Sequence, residues 1–382
     1  TPSGVNCARS SSSAELDINN VRAFILNGGD MWWDQPGTGN ARYEVPKVND
    51  PDQLKKNSLF AGSVWIGGED AATNQILVTA QTYRQSHYAY WPGPLVANDS
   101  VSPTNIPSIS TEECSFWNKH FKVNRTTIDQ FIEDQLNGVI VTASDIPDEI
   151  KNWPGRNNPF IDKSEGSSYS VDFNRDLAPF KDVSGPEGVA DGDYNPLYGD
   201  YPEILGDQTI WWVMNDVGNQ KEFGGNQEPL GGSNGGEIGI ELETRAFAFQ
   251  TNDAVNDMTF YEQKLTNKGS RTLINTYIGQ WVDPDLGNYV DDYVGCDVTR
   301  GLGICYNGDD DDDGVIGYGL NPPAIGVDFF QGPLADLGDG IDNDRDGLVD
   351  EGSDGIDNNG NSLIDEDDER EKIVMSNFLY YN

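Results

Sequence analysis

The stretch TLINTYIGQWVD, residues 272–283, alternates along its length. Leu273, Asn275, Tyr277, Gly279 and Trp281 take one set of positions, and Ile274, Thr276, Ile278, Gln280 and Val282 the other. Successive side chains of an extended chain point to opposite faces, so this period of two, rich in β-branched and aromatic residues, reads as a strand. Working outward, the same character recurs in SLFAGSVWIGG (58–68), QILVTAQTYR (75–84), QTIWWVMND (208–216), EIGIELETRAFAFQT (237–251), DMTFYEQKLTN (257–267) and EKIVMSNFLYY (371–381). The polar NKGSR segment between the strands at 257–267 and 272–283 reads as the turn of a hairpin. Only TTIDQFIEDQLNG reads as a helix, over 126–137, with Thr126 or Thr127 as cap, Ile128, Phe131, Ile132 and Leu136 on one face and Gly138 as a stop.

Short strands at this spacing with little helix predict an all-β fold, an antiparallel β-sandwich or sandwiches with long acidic loops. Composition marks an amino-terminal β-rich region (1–150), a Pro/Gly/Asp-rich connection (151–207) and a region (208–382) that carries the acidic loops. No clean linker separates them, so one continuous compact unit is expected. Long connections in a compact domain call for a function or an internal staple.

The 64 Asp and Glu against 24 Lys and Arg give a net charge of −40, which disfavours nucleic acid and anionic membrane surfaces as partners. Such self-repulsion requires counter-ions, bound metal or salt. Disorder is opposed by 9 Trp, 16 Tyr and 15 Phe, each able to bury a large apolar area. No apolar run is long enough to span a membrane. The opening TPSGVNCARSSSSAE fits either a mature chain that has lost its signal peptide or a trimmed one. Four cysteines allow three pairings. In an oxidising compartment Cys296 with Cys305 and Cys7 with Cys114 is the favoured set; in the cytosol all four would be free thiols.

The acidic loops carry the clearest chemistry. Asp342, Asp344, Asp346, Gly347, the Leu348 carbonyl and Asp350 stand at positions one, three, five, six, seven and nine of a calcium loop, where alternate oxygens converge on the ion and the glycine permits the sharp turn. Fifteen residues later the pattern returns as Asp357, Asn359, Asn361, Ser362, Leu363 and Asp365. Position twelve holds Ser353 and then Asp368 rather than a bidentate Glu, so Glu351 or Asp354 is a candidate substitute. Asp309, Asp311 and Asp313 repeat the spacing in part. Asp283, Asp285 and Asp291 suggest a cage at a strand end, and Asp182, Asp191, Asp193 and Asp200 a further loop site. Calcium is the expected cofactor, and these loops are expected to fold only with it bound.

Beyond these loops, LDINNVRAFILNGGDMWWD, SLFAGSVWIGG, WPGPL, GDQTIWWVMND, FAFQTNDAVNDMTFYEQKLTNKG, GQWVDPDLGNYVDDYVGCDVTRGLGICYNGD and YGLNPPAIGVDFFQGP, spread over about residues 16–382, resemble the amino-terminal region of very large secreted proteins of Bacteroidota. The resemblance implies export by the type IX secretion system, display at the cell surface or release, and a longer polypeptide of which this chain is the front. It also implies a role like that of gliding adhesins or extracellular appendages, with other copies, further domains of the same chain or cell-surface glycans as partners. The GPEGVA interruption near Asp182 departs from the family's compact loop.

An enzyme is the alternative, because paired carboxylates beside aromatics also build glycosidases. Trp32 and Trp33 with Asp34, Trp211 and Trp212 with Asp216, and Trp281 with Asp283 and Asp285 are the pairs to examine. His87 and His120 are the two histidines, and neither stands at an informative spacing from a nucleophile or ligand. No nucleophile elbow, P-loop, zincin motif or dinucleotide fingerprint occurs. The expectation is therefore a non-catalytic module serving adhesion or appendage assembly, with glycan binding or polysaccharide hydrolysis as the competing readings.

Overall fold

A computed structural model describes residues 7–81, 88–96, 107–161, 178–183, 190–218, 237–365 and 369–380. His87 and Asp368 lie outside them. The chain divides into two units, Thr1–Asp283 and Pro284–Asn382.

In the first unit, β1 (Ser13–Leu16), β2 (Arg22–Leu26), β3 (Tyr43–Glu44) and β4 (Asn57–Leu59) form an antiparallel sheet in chain order. The longer β5 (Ala61–Asp70) and β6 (Ile76–Thr79) then make a hairpin. After β7 (Trp91–Pro92) come helix α1 (Thr111–Phe116), β8 (Phe121–Asn124), helix α2 (Arg125–Leu136), helix α3 (Asp148–Lys151) and the short pair β9 (Phe180–Lys181) and β10 (Tyr201–Pro202). The chain continues through β11 (Gln208–Asn215), β12 (Ile240–Ala248), β13 (Phe260–Asn267) and β14 (Leu273–Asp283). Strands β13, β12 and β11 pair in sequence, with β7 and β8 on the far side of β11. The described chain is thus mostly antiparallel sheet with a few short helices, the all-β class expected.

All eight residues of β11 are buried, which explains why its sequence is apolar at successive positions instead of alternating. Trp211 faces a core built with Trp117, Trp153, Ile128, Phe131, Ile150 and Tyr194. Helix α2 supplies Ile128 and Phe131 to that core, and Ile132 packs at its edge. Leu136, expected on the same face, ends the helix 83% exposed. The cap is Asn124, two and three residues ahead of the expected threonines, because β8 runs directly into the helix. Helices α1 and α3 escaped sequence reading because six and four residues are too few to display a helical period.

The NKGSR segment is not a hairpin turn. β13 pairs with β12, whereas β14 pairs with β5 across nine register positions, so the link carries the chain from one sheet to another. It is held by Lys268 N–H to the Gly239 carbonyl and by Ala71 N–H to the Thr272 carbonyl. The expected strand at 371–381 is also absent among the described residues, where Lys372 makes a single bridge to Leu334.

Of the two expected disulfides, Cys7–Cys114 is present, with Cα atoms 5.7 Å apart. Cys296 and Cys305 are free. In the second unit, β15 (Asp292–Asp297) and β16 (Leu302–Asn307) do form a hairpin, but its register pairs Cys296 with Gly303 and Cys305 with Val294. The two cysteines are therefore diagonal neighbours, and such pairs stand about 7–8 Å apart, beyond the usual disulfide span. Strands β17 (Asp311–Asp312) and β18 (Gly319–Leu320) pair with each other, and β19 (Ala324–Asp328) completes the sheet on β16.

Candidate metal centre

The second unit has an unusual interior. Its buried apolar side chains among the described residues are Leu286, Cys305 and Ala335; its buried polar ones are Asn307, Asp312, Glu351, Glu369 and Glu371. Residues 284–382 contain 25 of the 64 acidic residues and 4 of the 24 basic ones, so they carry −21 of the net −40. An interior made largely of carboxylates cannot be held by the hydrophobic effect, and buried charges need partners.

Residues 339–371 show how the backbone handles part of that charge. Asp342 accepts from Gly347 N–H at 3.1 Å, Asp344 from Asp346 N–H at 3.2 Å, and Asp346 from Leu348 N–H at 2.8 Å. Fifteen residues on, Asp357 accepts from Ser362 N–H at 2.7 Å, Asn359 from Asn361 N–H at 3.0 Å, and Asn361 from Leu363 N–H at 2.7 Å. The backbone repeats as well: φ is positive at Arg345 and Gly360, at Gly347 and Ser362, and at Asp350 and Asp365. The two loops are one structural motif used twice.

Each loop is closed by a glutamate from farther along the chain. Glu371 accepts from Asn343 N–H at 2.9 Å and Asp350 N–H at 3.2 Å; Glu369 accepts from the equivalent Asn358 and Asp365 N–H groups at 2.6 and 2.8 Å. Asp350 and Asp365, expected as position-nine ligands, instead accept backbone N–H bonds, from Asp339 and Gly340 in the first loop and from Gly355 in the second. Asp354 opens the second loop by accepting from Ile356 N–H. The Leu348 and Leu363 side chains are exposed.

Two carboxylate groups capable of holding a metal ion result: Asp342 with Asp344 and Glu371, and Asp344 with Asp346 and Glu351, each with oxygens lying within 4.8 Å of one another. Two ligands on opposite sides of a calcium-sized ion stand about 4.8 Å apart at metal–oxygen distances of about 2.4 Å, so the sets fit a hard divalent cation. They offer carboxylate oxygen alone, with no His or Cys among them. Burial raises the Asp344 carboxyl above its ordinary pKa, and Asp346, Glu371 and Asp342 repel its charge further. Burial likewise raises Glu351, with Asp346, Glu371 and Asp344 adding to it. Glu351, offered by the sequence reading as a substitute ligand, stands in a carboxylate group that could hold an ion, as does Glu371, which has no local signal because it lies twenty-nine residues beyond Asp342 and outside any fixed loop spacing.

The remaining acidic loops are arranged differently. Asp311 and Asp313 are exposed, and Asp312 between them is buried, accepting from Asn288 N–H at 3.1 Å and from Tyr318 N–H at 2.5 Å. Strand pairing of β17 imposes a period of two, so the expected odd-numbered ligands Asp311 and Asp313 turn outward; Asp309 accepts from Asp311 N–H. Asp283 ends β14 in the first unit opposite Ala61, whereas Asp285 and Asp291 belong to the second. Beside Asp291, Asp292 is pushed up to about 6, by burial first and then by Asp312 and Asp291. In the first unit, both oxygens of buried Asp200 accept backbone N–H bonds, from Val183 and Asn195, each at 2.8 Å. Asp182 accepts from Gly192 N–H, Asp191 from Asp193 N–H, and Asp193 from the Asn157 amide. These four are drawn into one acid-turn network without forming a carboxylate cluster.

Two of the aromatic–carboxylate pairs, Trp32 with Asp34 and Trp211 and Trp212 with Asp216, lie in the first unit's interior. Trp32, Trp211 and Trp212 are buried, and Trp32 donates its indole N–H to the Tyr261 hydroxyl at 2.7 Å. Asp216 accepts from the N–H groups of Ile238, Gly239 and Ile240 and from the Thr79 hydroxyl; burial nonetheless raises it to about 6. Asp34 accepts from Thr38 and pairs with Arg42. Trp281 stacks flat on Trp65, ring centroids 5.8 Å apart. His120 is held against Trp212 and the Ser12 hydroxyl, and burial lowers it to about 3. Compared with known families, curated proteins and solved structures, the chain matches none.

Proposed function

We propose that this chain is a non-catalytic, calcium-stiffened module of a large secreted surface protein, serving adhesion or the assembly of an extracellular appendage. The observation that carries the reading is the carboxylate interior of residues 284–382, where Glu351, Glu369 and Glu371 are buried and two loops of one design converge on them. Calcium is favoured over magnesium because the sets are rich in protein carboxylates on irregular loops, whereas magnesium keeps several waters and demands a near-ideal octahedron. Extracellular calcium keeps even sites with dissociation constants of about 0.1–1 mM occupied. The Cys7–Cys114 disulfide supports an oxidising compartment, and the resemblance to type IX-secreted surface proteins of Bacteroidota supports the cellular setting. Asp216 and Asp34 are engaged by backbone and side-chain donors in the core, which favours a structural role for them over a catalytic one.

A second reading, glycan binding, is favoured by one feature. Tyr293 and Tyr306 stack at 6.1 Å on the hairpin of the second unit while remaining 59% and 46% exposed, a platform on which a sugar face could lie.

The test exploits the placement of chromophores. All nine Trp precede residue 284, and the second unit contains Tyr but no Trp. Chelation should lower the melting transition seen in near-ultraviolet tyrosine dichroism and leave the tryptophan transition in place. Protein purified without chelator and equilibrated with calcium that shows no calcium by elemental analysis would defeat the proposal.

A further inference from the structure

We infer that the first acidic loop holds two cations side by side, bridged by Asp344. This deepens the calcium reading and rests on it. Asp344 is common to both carboxylate sets, with Asp342 and Glu371 on one side and Asp346 and Glu351 on the other.

Two further observations point to ligands on both sides. Glu351 is only 5% exposed, and its Oε2 is shut off from solvent with no hydrogen-bond partner among the described residues. The Oδ1 of Asp342, in the other set, is likewise buried and unpartnered. A buried carboxylate oxygen left without a donor costs free energy unless a cation satisfies it. One ion could serve Asp342, Asp344 and Glu371, but the buried Oε2 of Glu351 would then remain without a partner among the described residues.

The charge balance agrees. The five carboxylates Asp342, Asp344, Asp346, Glu351 and Glu371 bring five negative charges into one site. One divalent ion leaves three of them uncompensated, whereas two leave one. Carboxylates commonly bridge divalent ions about 3.5–4 Å apart in two-metal sites. Backbone donors also leave the bridge available: among the described residues Asp344 accepts only the Asp346 N–H, through Oδ1, at 3.2 Å.

The second loop differs at this position. Asn359 stands where Asp344 does and Asn361 where Asp346 does, so two charges of the set are missing. The neutral amide is a poorer bridge between two cations, and the pair is accordingly assigned to the first loop.

The experiment measures calcium content of the whole chain by elemental analysis after equilibrium dialysis at saturating calcium. Glu351→Gln and Glu371→Gln should each hold one ion fewer than the wild type, and the double variant two fewer. A double variant that loses only one ion overturns the pair while leaving the calcium reading intact. A wild type without calcium overturns both. Because Glu371→Gln also weakens acceptance from two backbone N–H groups, a second readout uses wild type and Glu351→Gln alone. Loaded with mixed terbium and europium, the wild type should show short-range energy transfer that Glu351→Gln loses; equal transfer in the two would overturn the pair.

Discussion

Replacing Cys7 and Cys114 together by alanine removes a crosslink across 107 residues of sequence. A loop of about 100 residues loses chain entropy worth about 4.7 kcal/mol at 25 °C when closed in the unfolded state. The folded side should change little, because Cys7 N–H stays bonded to the Gly218 carbonyl and both cysteines sit in a packed group with Trp91, Leu95, Ile109 and Val217. The loss of two buried sulfurs adds on the order of 1 kcal/mol, so destabilisation of about 6 kcal/mol is the upper expectation. With a urea slope of about 3 kcal/mol per molar for a unit of this size, the midpoint should fall by up to about 2 M. Tryptophan fluorescence is the assay, since every Trp belongs to the unit that the disulfide closes. Reductant should shift the wild type toward the variant and leave the variant unmoved. A midpoint shift below about 0.3 M, or a variant that responds to reductant as the wild type does, would refute the reasoning.

Three further outcomes are expected. Asp30 is buried, bonded to Gln81, and raised to about 7 by burial; its folded pKa lies above the unfolded 3.8, so stability falls as pH rises between those values and is level above them. Asp30→Asn should remove that slope, gaining on the order of 4 kcal/mol at pH 8 and nothing near pH 3, as read by urea unfolding at several pH values. His120 acts in the opposite sense: with its folded pKa lowered to about 3, stability is complete above the unfolded 6.5 and declines as pH falls below it, so His120→Gln should flatten the acid limb of the same profile. Thiol labelling of native protein should modify exposed Cys296 and spare buried Cys305, whose thiol burial pushes up to about 12; equal labelling of both would contradict their placement.

The fold class was legible because strands such as 208–216, 237–251 and 272–283 announce themselves through β-branched and aromatic residues, and β11, β12 and β14 lie within those limits. Their partners were not legible. A strand's pattern says which residues can be buried, not which neighbour buries them, and so NKGSR was read as a hairpin although β13 and β14 enter different sheets. The metal loops divide in the same way. Asp342, Asp344 and Asp346 carry local spacing and do fall in carboxylate groups that could hold an ion, while Asp350, given to an ion by that spacing, accepts two N–H groups of its own loop. Glu371 has no local signal: it reaches the site because the chain returns at Leu334 and Lys372, a bridge that composition and periodicity do not encode. Asp312 was passed over for its neighbours because five consecutive aspartates leave the strand phase open, and only pairing with β18 decides which one turns inward.

Hydrogen exchange read by mass spectrometry over residues 339–371, with and without calcium, tests the central claim most directly, since the claim is that cations hold the acidic interior of the second unit. The N–H groups of Asn343, Gly347, Asp350, Asn358, Ser362 and Asp365 are bonded to carboxylates of the two loops and their closing glutamates. Calcium should slow exchange across this segment by orders of magnitude relative to chelator, while β11 and β12 exchange equally slowly in both. Identical protection of 339–371 with and without calcium would contradict the account.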